Sequence, residues 1–320
     1  MIDSVRSTVL SILNKNNYGY ISPSDFNLFA KQAQLELFDE YFTEYNSIIN
    51  RENSRFSGKN SISPSGTGYA DDKKSTEEVI DLFSVTNYLH YNNLNRFFLP
   101  SLITTGDDYY LINKVLSYDT VRTTGSNTSI SVNQLVDTAA TFTATVAVGD
   151  VIVNAVTYVS AEIITIVSDT VLSISDDIFL VTPEAYSIFK NSQSEVEKVS
   201  HSKISMLNSS MLTSPSMIFP AYSTESLLMS AFPKTITTAG QIQSQYLRYP
   251  EVPKWTYITL ANGEPLFDQT QIDYQDFELS PDDESSLINK ILQYAGMSIR
   301  EISVVQYAQG EEMKSQTQKK

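Results

Sequence analysis

Residues 22–50 read SPSDFNLFAKQAQLELFDEYFTEYNSIIN, and this stretch decides the helical part of the fold. Ser22 is a favoured N-cap residue, Pro23 occupies the first helical position, and Asp25 completes an acidic form of the capping box. Apolar residues then recur at helical spacing up to Asn50. The pattern predicts one long helix that ends near Asn50.

Four aromatic residues make the apolar face of this predicted helix unusually broad: Phe38, Tyr41, Phe42 and Tyr45. A short neighbouring helix covers a narrower stripe, and apolar surface that stays exposed commonly marks an interaction site. We therefore expect the helix to pack partly within its own subunit and partly against a partner. The four aromatic residues are candidate interface residues.

The same helical spacing occurs at both ends of the chain. The apolar residues of segment 2–13 predict a first helix, which would form an N-terminal helical hairpin with the long helix. Near the other end, Ser280 and Pro281 predict a helix start, and Gly296 is expected to stop that helix. Ser298 with Glu301 predicts the start of a last helix.

Residues 51–75 differ sharply from the long helix, because Ser, Gly, Asn and Lys dominate. We expect a flexible loop. Arg55, Phe56 and Ile62 are candidate interface residues in it, since such a loop can become ordered on an acidic partner surface. A solvated linker is the alternative.

Residues 122–181 differ in composition from both preceding segments, because they are rich in Thr, Ser, Val, Ala and Ile and contain no lysine. Short β-branched segments alternate with turn sequences at Gly149-Asp150 and Ser168-Asp169. Strands are predicted at 142–148, 150–154, 157–159, 163–167 and 171–175. This composition is typical of a small barrel or sandwich inserted into a larger fold.

The patterns together predict an α+β protein, in which an N-terminal helical hairpin and C-terminal helices surround a mainly β body. Residues 1–121 would hold the helical part and the start of the β body, 122–181 the inserted all-β module, and 182–320 the rest of the body with the C-terminal helices. Residues 205–220, rich in Ser, Met and Pro, are expected to be extended. Asn262-Gly263 predicts a hairpin turn.

The net charge of −15 opposes tight binding to nucleic acid, since phosphate contacts need clustered Lys and Arg. The chain has no cysteine, which excludes disulfides, thiolate metal sites and cysteine nucleophiles. Its amino terminus does not resemble a signal peptide, and no apolar run has the length of a membrane helix. We expect a protein without membrane contact.

No residue is assigned a catalytic, cofactor-binding or metal-binding role. His90 and His201 are the only two histidines in the sequence, too few for a histidine metal cluster without unrelated ligands. The segment from Gly58 to Ser61 lacks the upstream glycine of a phosphate-binding loop. The acidic pairs lack the spacing of a calcium loop, so turn and helix-start roles are favoured. The aromatic run at 246–257 fits an aromatic core better than a carbohydrate platform.

Five segments are distinctive: NKNNYGYISPSDFNLFAKQAQ at 14–34, YLRYP at 246–250, PKW at 253–255, DFEL at 276–279 and ILQYAG at 291–296. These segments resemble virion structural proteins of crAss-like tailed phages. Two further segments, TVAVGDVIVN at 145–154 and VSDTVLSISDDIF at 167–179, are similar to small β modules of phage neck and tail proteins.

The resemblance implies a non-enzymatic, ring-forming component of the head-to-tail region, without cofactors. Its partners would be other copies of itself in a cyclic ring of about twelve, the portal, and other neck or tail proteins. DNA would pass through the channel without tight binding, and the protein would reside in the virion after assembly in the host cytoplasm. Two alternatives stay open: a peripheral tail or capsid module that binds carbohydrate or a host receptor, and a particle-associated hydrolase.

Overall fold

The computed structural model describes residues 1–14, 21–57, 68–261, 263–299, 306, 308–310 and 313. The chain divides into two compact units, one formed by Met1–Phe83 with Pro250–Lys320 and the other by Ser84–Tyr249. Helices and several sheets are both present, so the predicted α+β class is confirmed. That residues 122–181 form a separable module stays a prediction.

The elements are numbered in chain order. The helices are α1 (Ile2–Asn14), α2 (Pro23–Ser57), α3 (Gly68–Asp81), α4 (Phe142–Thr145), α5 (His201–Asn208) and α6 (Glu284–Ile299). The strands are β1 (Ser84–Tyr88), β2 (Tyr91–Asn93), β3 (Arg96–Phe98), β4 (Tyr109–Tyr118), β5 (Val121–Ser126), β6 (Ser129–Ser131), β7 (Gln134–Val136), β8 (Val151–Asn154), β9 (Ser160–Ser168), β10 (Val171–Ile174), β11 (Ala185–Phe189), β12 (Gln193–Glu195), β13 (Glu197–Lys198), β14 (Ala221–Glu225), β15 (Leu228–Phe232), β16 (Ile242–Arg248), β17 (Tyr257–Thr259) and β18 (Pro265–Phe267).

Helix α6 is the central contact of the first unit, because both α1 and α2 pack against it, while α3 packs against α2. Helices α1 and α6 each bury one stripe: Ile2, Val5, Val9 and Leu13 on α1, and Leu287, Ile291, Leu292 and Ala295 on α6. This spacing of three and four residues is the one from which both helices were predicted. None of the described helices has the length and apolar character needed to cross a bilayer.

Helix α2 begins as its sequence predicts. The Ser22 hydroxyl accepts a hydrogen bond from the Asp25 backbone N–H at 3.2 Å and donates one to the Asp25 carboxylate at 2.7 Å. The predicted end near Asn50 is wrong, since α2 continues to Ser57. No glycine or proline between Arg51 and Ser57 interrupts it.

The predicted loop at 51–75 is therefore helical at both of its ends, because α2 covers its first residues and α3 begins at Gly68. Residues 58–67 lie outside the described residues.

Gly296 does not stop the C-terminal helix, which is a second correction. Helix α6 runs through this buried glycine to Ile299. A single glycine inside a helix costs only about 1 kcal/mol, which the packing of α6 against α1 and α2 offsets. Ser298 consequently lies inside α6, and Glu301 lies outside the described residues.

The hairpin of strands β17 and β18 confirms the predicted pairing, with Tyr257 opposite Phe267. Gly263 in its loop has φ +86°, a conformation that glycine adopts without strain. Asn262 lies outside the described residues.

The second unit contains three sheets, together with the short helices α4 and α5. One has the strand order β1-β16-β4-β12, another β13-β14-β15-β3-β2, and the largest β5-β11-β8-β9-β10-β7-β6. The outer strands of the largest sheet, β5 and β6, are separated along the chain by only Asn127 and Thr128. The sheet must therefore curl back on itself, as in a barrel, around a core that includes Leu135, Ile152 and Leu172.

Two of the strands predicted in this module are wrong. Residues 142–145 form the short helix α4, which directs Phe142 and Val146 into the same core. Residues 155–157 form a turn, and Tyr158, which follows it outside any strand, has φ +58°. The side chain of Asn154 holds this turn, since its Oδ1 accepts hydrogen bonds from the backbone N–H groups of Val156 and Thr157.

Candidate functional site

The aromatic face of α2 is largely covered by the first unit itself. Phe38 is fully buried and meets both Phe42 and Phe83 edge to face, with ring centroids 5.0 Å apart in each case. Tyr41 is also buried, and its hydroxyl donates to the Asp283 carboxylate at 2.6 Å. Burial, together with this carboxylate, raises the pKa of the Tyr41 hydroxyl well above its usual value. Phe38 and Tyr41 thus do not face a partner, which corrects the expectation from sequence.

Phe42 and Tyr45 are half-buried on the next turns of the same face. The Tyr45 hydroxyl donates to the Glu77 carboxylate of α3 at 3.0 Å. These two residues stay candidates for contact with a partner. Arg55 and Phe56 fall within the backbone of α2, and Ile62 lies outside the described residues, so a contact of these three with a partner stays a prediction.

Trp255 lies inside the first unit and offers no platform for a sugar. Its side chain is 2% exposed, and the guanidinium of Arg6 lies 3.7 Å from the ring centroid. The indole N–H donates to Asp3 at 3.0 Å, and Tyr257 stacks on the ring at 5.6 Å. The arrangement is an aromatic core closed by a cation–π contact.

The two histidines are far apart in the chain, with His90 between β1 and β2 and His201 in α5. His90 is half-buried and stacks on Tyr158 at 4.0 Å, and burial lowers the pKa of its imidazole. His201 is exposed at the first position of α5. Within the described part of the chain, no three His, Asp or Glu side chains come together in a way that could hold a metal ion.

The segment between β13 and β14, residues 199–220, forms an arm that the sequence did not predict correctly. Instead of being extended, it begins with helix α5, where the Ser200 hydroxyl caps the Lys203 N–H at 3.4 Å. A chain of turns follows. The Thr213 hydroxyl donates to the Leu207 carbonyl at 3.1 Å, and the Ser214 N–H donates to the Ser210 carbonyl at 3.0 Å.

These hydrogen bonds hold two apolar side chains at the tip of the arm, where Met211 is 99% and Leu212 96% exposed. Met206, Ile218 and Phe219 are also mostly exposed. Residues 204–224 contain no charged residue, although Asp, Glu, Lys and Arg make up 18% of the chain. An ordered, uncharged surface of this kind is typical of protein–protein contacts.

A cavity of about 660 Å³ lies beneath the arm. Its lining includes the apolar side chains of Val199, Leu207 and Phe219, those of Met211 and Leu212 at the tip of the arm, and the polar residues Thr213, Ser214 and Ser216. Its two carboxylates are each paired with a lysine: Glu197 with Lys203 at 3.8 Å, and Glu195 with Lys114 at 3.2 Å. The cavity is thus close to neutral in an acidic protein.

The arm and its cavity form a candidate site that the sequence analysis did not predict. One available indication was the absence of charge over residues 204–224. The spacing of Ile204 and Leu207 behind the Ser200 cap could have indicated a helix. The cavity itself depends on the parallel pairing of Glu197 with Ala221 across β13 and β14, which brings distant segments together.

A second exposed apolar pair lies at a turn between β3 and β4, where Leu102 and Ile103 project into solvent. The Asp108 carboxylate accepts the Leu102 N–H at 3.1 Å and so fixes the turn.

In comparisons with known proteins, no family model matches the chain, and no curated protein gives a significant match.

Proposed function

We propose that this chain is a non-enzymatic structural protein of a tailed-phage virion, in which it forms a ring of the head-to-tail connector between portal and tail. The resemblance of its sequence to virion proteins of crAss-like phages supports the proposal. Its partners would be further copies of itself, the portal, and other neck or tail proteins.

The observation that carries the proposal is the arm at residues 199–220. Hydrogen bonds keep it ordered, and yet Met211 and Leu212 at its tip are almost fully exposed. When another protein covers apolar side chains that are already held rigidly in water, the free energy falls, because apolar surface is removed from water. Little conformational entropy is lost on binding, since the side chains are already ordered. Such a surface suits a subunit whose role is to hold its neighbours.

The negative net charge of the chain is suited to a protein that lines a channel through which DNA moves. With a net charge of −15, a ring of such subunits would repel the phosphate backbone, so that DNA passes without adhering. The protein would be located in the virion, and in the host cytoplasm during assembly.

The principal alternative, a peripheral module that binds carbohydrate or a receptor, would need an accessible aromatic platform. The burial of Trp255 weighs against that alternative.

A conditional nonsense mutation in the gene of the parent phage tests the proposal. Grown without suppression, the phage should yield DNA-filled heads and free tails that have not joined, because the connector is missing. Complete tailed particles that fail only to adsorb to cells would contradict it and favour the receptor-binding alternative. Supplying the wild-type protein in trans is the control, and it should restore joined particles.

A further inference from the structure

We propose that the four-stranded sheet continues from one copy of this chain into the next, with strand β12 of one copy pairing antiparallel to strand β1 of its neighbour. The inference rests on the proposed ring-forming function and names the surface that joins the copies. It follows from an open edge at β12, an open edge at β1, and the opposite directions of these two strands in the sheet.

The outer edge of β12 has unpaired backbone groups. Strand β12 pairs with β4, and directly after it the Val196 N–H donates to the Val115 carbonyl at 2.8 Å. Hydrogen-bonded positions alternate along an antiparallel strand, so Gln193 and Glu195 direct their N–H and C=O groups away from β4. Within the described part of the chain, no group bonds to these backbone atoms.

Open space lies beside this edge. Glu195 lines the cavity beneath the arm, and the side chains of Gln193 and Glu195 are exposed. The Glu195 carboxylate pairs with Lys114 of β4 at 3.2 Å, so its charge is balanced. Strand β12 contains neither lysine nor proline, and its pairing with β4 has no bulge, although proteins commonly protect an exposed edge in one of these ways. The edge is thus accessible to a further strand.

The outer edge of β1, at the other side of the same sheet, is open in the same way. Strand β1 pairs with β16, and directly after it the Leu89 N–H donates to the Ile242 carbonyl at 3.0 Å. By the same alternation, Ser84 and Thr86 direct their backbone groups away from β16. Both residues are exposed, and among the described residues nothing bonds to these groups. Strand β1 reads Ser-Val-Thr-Asn-Tyr and carries no charge.

Strand direction identifies a second copy as the partner. The sheet has the order β1-β16-β4-β12, and each strand is antiparallel to the next. With an even number of strands, the two edge strands run in opposite directions. A second copy placed beside β12 in the same orientation therefore presents a β1 that is antiparallel to β12. The alternation of the sheet then continues across the contact.

The open positions of the two edges also match in spacing. With Gln193 opposite Thr86 and Glu195 opposite Ser84, each pair exchanges both of its N–H···O bonds. This register uses every unpaired position identified on the two strands. Strand addition of this kind derives its affinity from main-chain hydrogen bonds, so it suits the polar side chains of β12.

The two edges are different surfaces, so each copy uses β12 on one neighbour and β1 on the other. Such a heterologous contact propagates from copy to copy and closes into a ring when its rotation divides a full turn. In a closed ring, both open edges of the sheet are paired in every copy.

Cysteine trapping tests the pairing, because the chain has no cysteine of its own. In the full chain, Ser84→Cys with Glu195→Cys places two thiols on opposite edges of the sheet. Within one copy three strand spacings, about 14 Å, separate them, which is too far for a disulfide. In the proposed register the Cα atoms of these positions in adjacent copies are about 5.5 Å apart, which a disulfide can span.

Oxidation of the double variant should yield a ladder of disulfide-linked oligomers larger than dimers on non-reducing gels. Each single variant should stay monomeric, and a mixture of the two should give dimers and nothing larger. The matched control combines Ser84→Cys with Val132→Cys, at an exposed position of the β6–β7 turn, and should give no ladder. Circular dichroism melts before oxidation establish that each variant is folded.

A proline substitution tests the backbone groups without a thiol. Glu195→Pro removes only the outward N–H, because the bonds to β4 come from the neighbouring positions, and proline is tolerated on edge strands where its N–H would face solvent. The matched control is Glu195→Gln, which keeps the N–H. In sedimentation velocity we expect wild type and Glu195→Gln to associate beyond dimers, and Glu195→Pro to lose at least tenfold in association constant.

The results that contradict the inference are distinct from those that contradict ring formation. If wild type associates but the double cysteine variant gives no ladder, or if Glu195→Pro associates as well as Glu195→Gln, the sheet edges are not the contact, although the ring proposal stands. Disulfide-linked dimers from either single variant would show a two-fold contact and overturn the head-to-tail arrangement. If wild type stays monomeric at every concentration, both this inference and the ring-forming function are overturned.

Discussion

Phe38 of α2 and Phe83, just after α3, meet edge to face with ring centroids 5.0 Å apart. Both rings are almost completely buried, so the contact fixes the end of the α3 segment against the long helix. The broad aromatic face that suggested an interface from sequence is thus used largely to build the helical unit. Edge-to-face pairs of this type contribute about 0.5–1.5 kcal/mol beyond the burial of their area.

Substitution of Phe38 should destabilise the first unit strongly. We expect Phe38→Ala to lower the free energy of unfolding by about 3–5 kcal/mol, because it leaves a cavity between α2 and Phe83. The matched control is Phe42→Ala, which removes the half-buried ring that also contacts Phe38. It should lower the free energy of unfolding by less than half as much. Urea titrations followed by circular dichroism measure both values, and equal losses would contradict the burial difference.

Trp255 provides an optical test of the carbohydrate-binding alternative, because it is the only tryptophan in the chain. Its emission should be blue-shifted and poorly quenched by iodide, since the ring is enclosed by Arg6 and Tyr257. Adding mono- or oligosaccharides should leave the spectrum unchanged. A saturable spectral change on titration with a sugar would revive the alternative.

Tyr41 should contribute to the alkaline limit of stability. Burial raises the pKa of the Tyr41 hydroxyl in the folded state. Its contribution to the free energy of unfolding is therefore fully present below about pH 10, the pKa of tyrosine in the unfolded chain, and is lost as the pH rises above that value. Tyr41→Phe removes the bond to Asp283 and should cost about 1 kcal/mol at pH 8. The difference between variant and wild type should then shrink at pH 11. A difference that stays constant from pH 8 to pH 11 would show that Tyr41 does not titrate in this way.

The β module between residues 121 and 189 should be removable from the second unit. Its two ends are adjacent, because the Lys190 N–H donates to the Thr120 carbonyl at 3.0 Å. We expect a chain that joins Thr120 to Lys190 through a short Gly-Ser link to stay folded. Its stability should fall, since removal takes away Phe189, which stacks on Tyr118 at 4.8 Å.

The deletion should be compared with one that removes only residues 122–181. The shorter deletion removes most of β5 but keeps β11, the strand that pairs with it. Because β11 then lacks its pairing strand, this deletion should yield less soluble protein. An insoluble product from both deletions, or the absence of a cooperative melt, would show that the module belongs to the core of the second unit.

Local chemistry made parts of this fold predictable from sequence. The start of α2 depends on Ser22 and Asp25, which are three residues apart, and the pairing of β17 with β18 depends on one short turn. The buried stripe of α1 follows from its own spacing. Each of these features is determined by residues close together in the chain.

Several of the misjudged features depend on residues that are distant in sequence. Helix α6 passes Gly296 because α1 and α2 pack on it, and Phe38 is buried because Phe83 covers it. The cavity beneath the arm at residues 199–220 exists because the parallel pairing of β13 with β14 places Glu197 beside Ala221. None of these contacts can be inferred from a local sequence pattern. The sequence therefore predicted a partner for the aromatic face of α2, most of which the chain itself covers.

Reconstruction of the assembled phage particle by electron cryomicroscopy tests the central claim most directly. We expect a closed ring of about twelve copies, coaxial with the portal, into which this chain fits with β12 of each copy beside β1 of the next. Density for the chain at the periphery of the particle, with three-fold symmetry and no contact with the portal axis, would contradict the account.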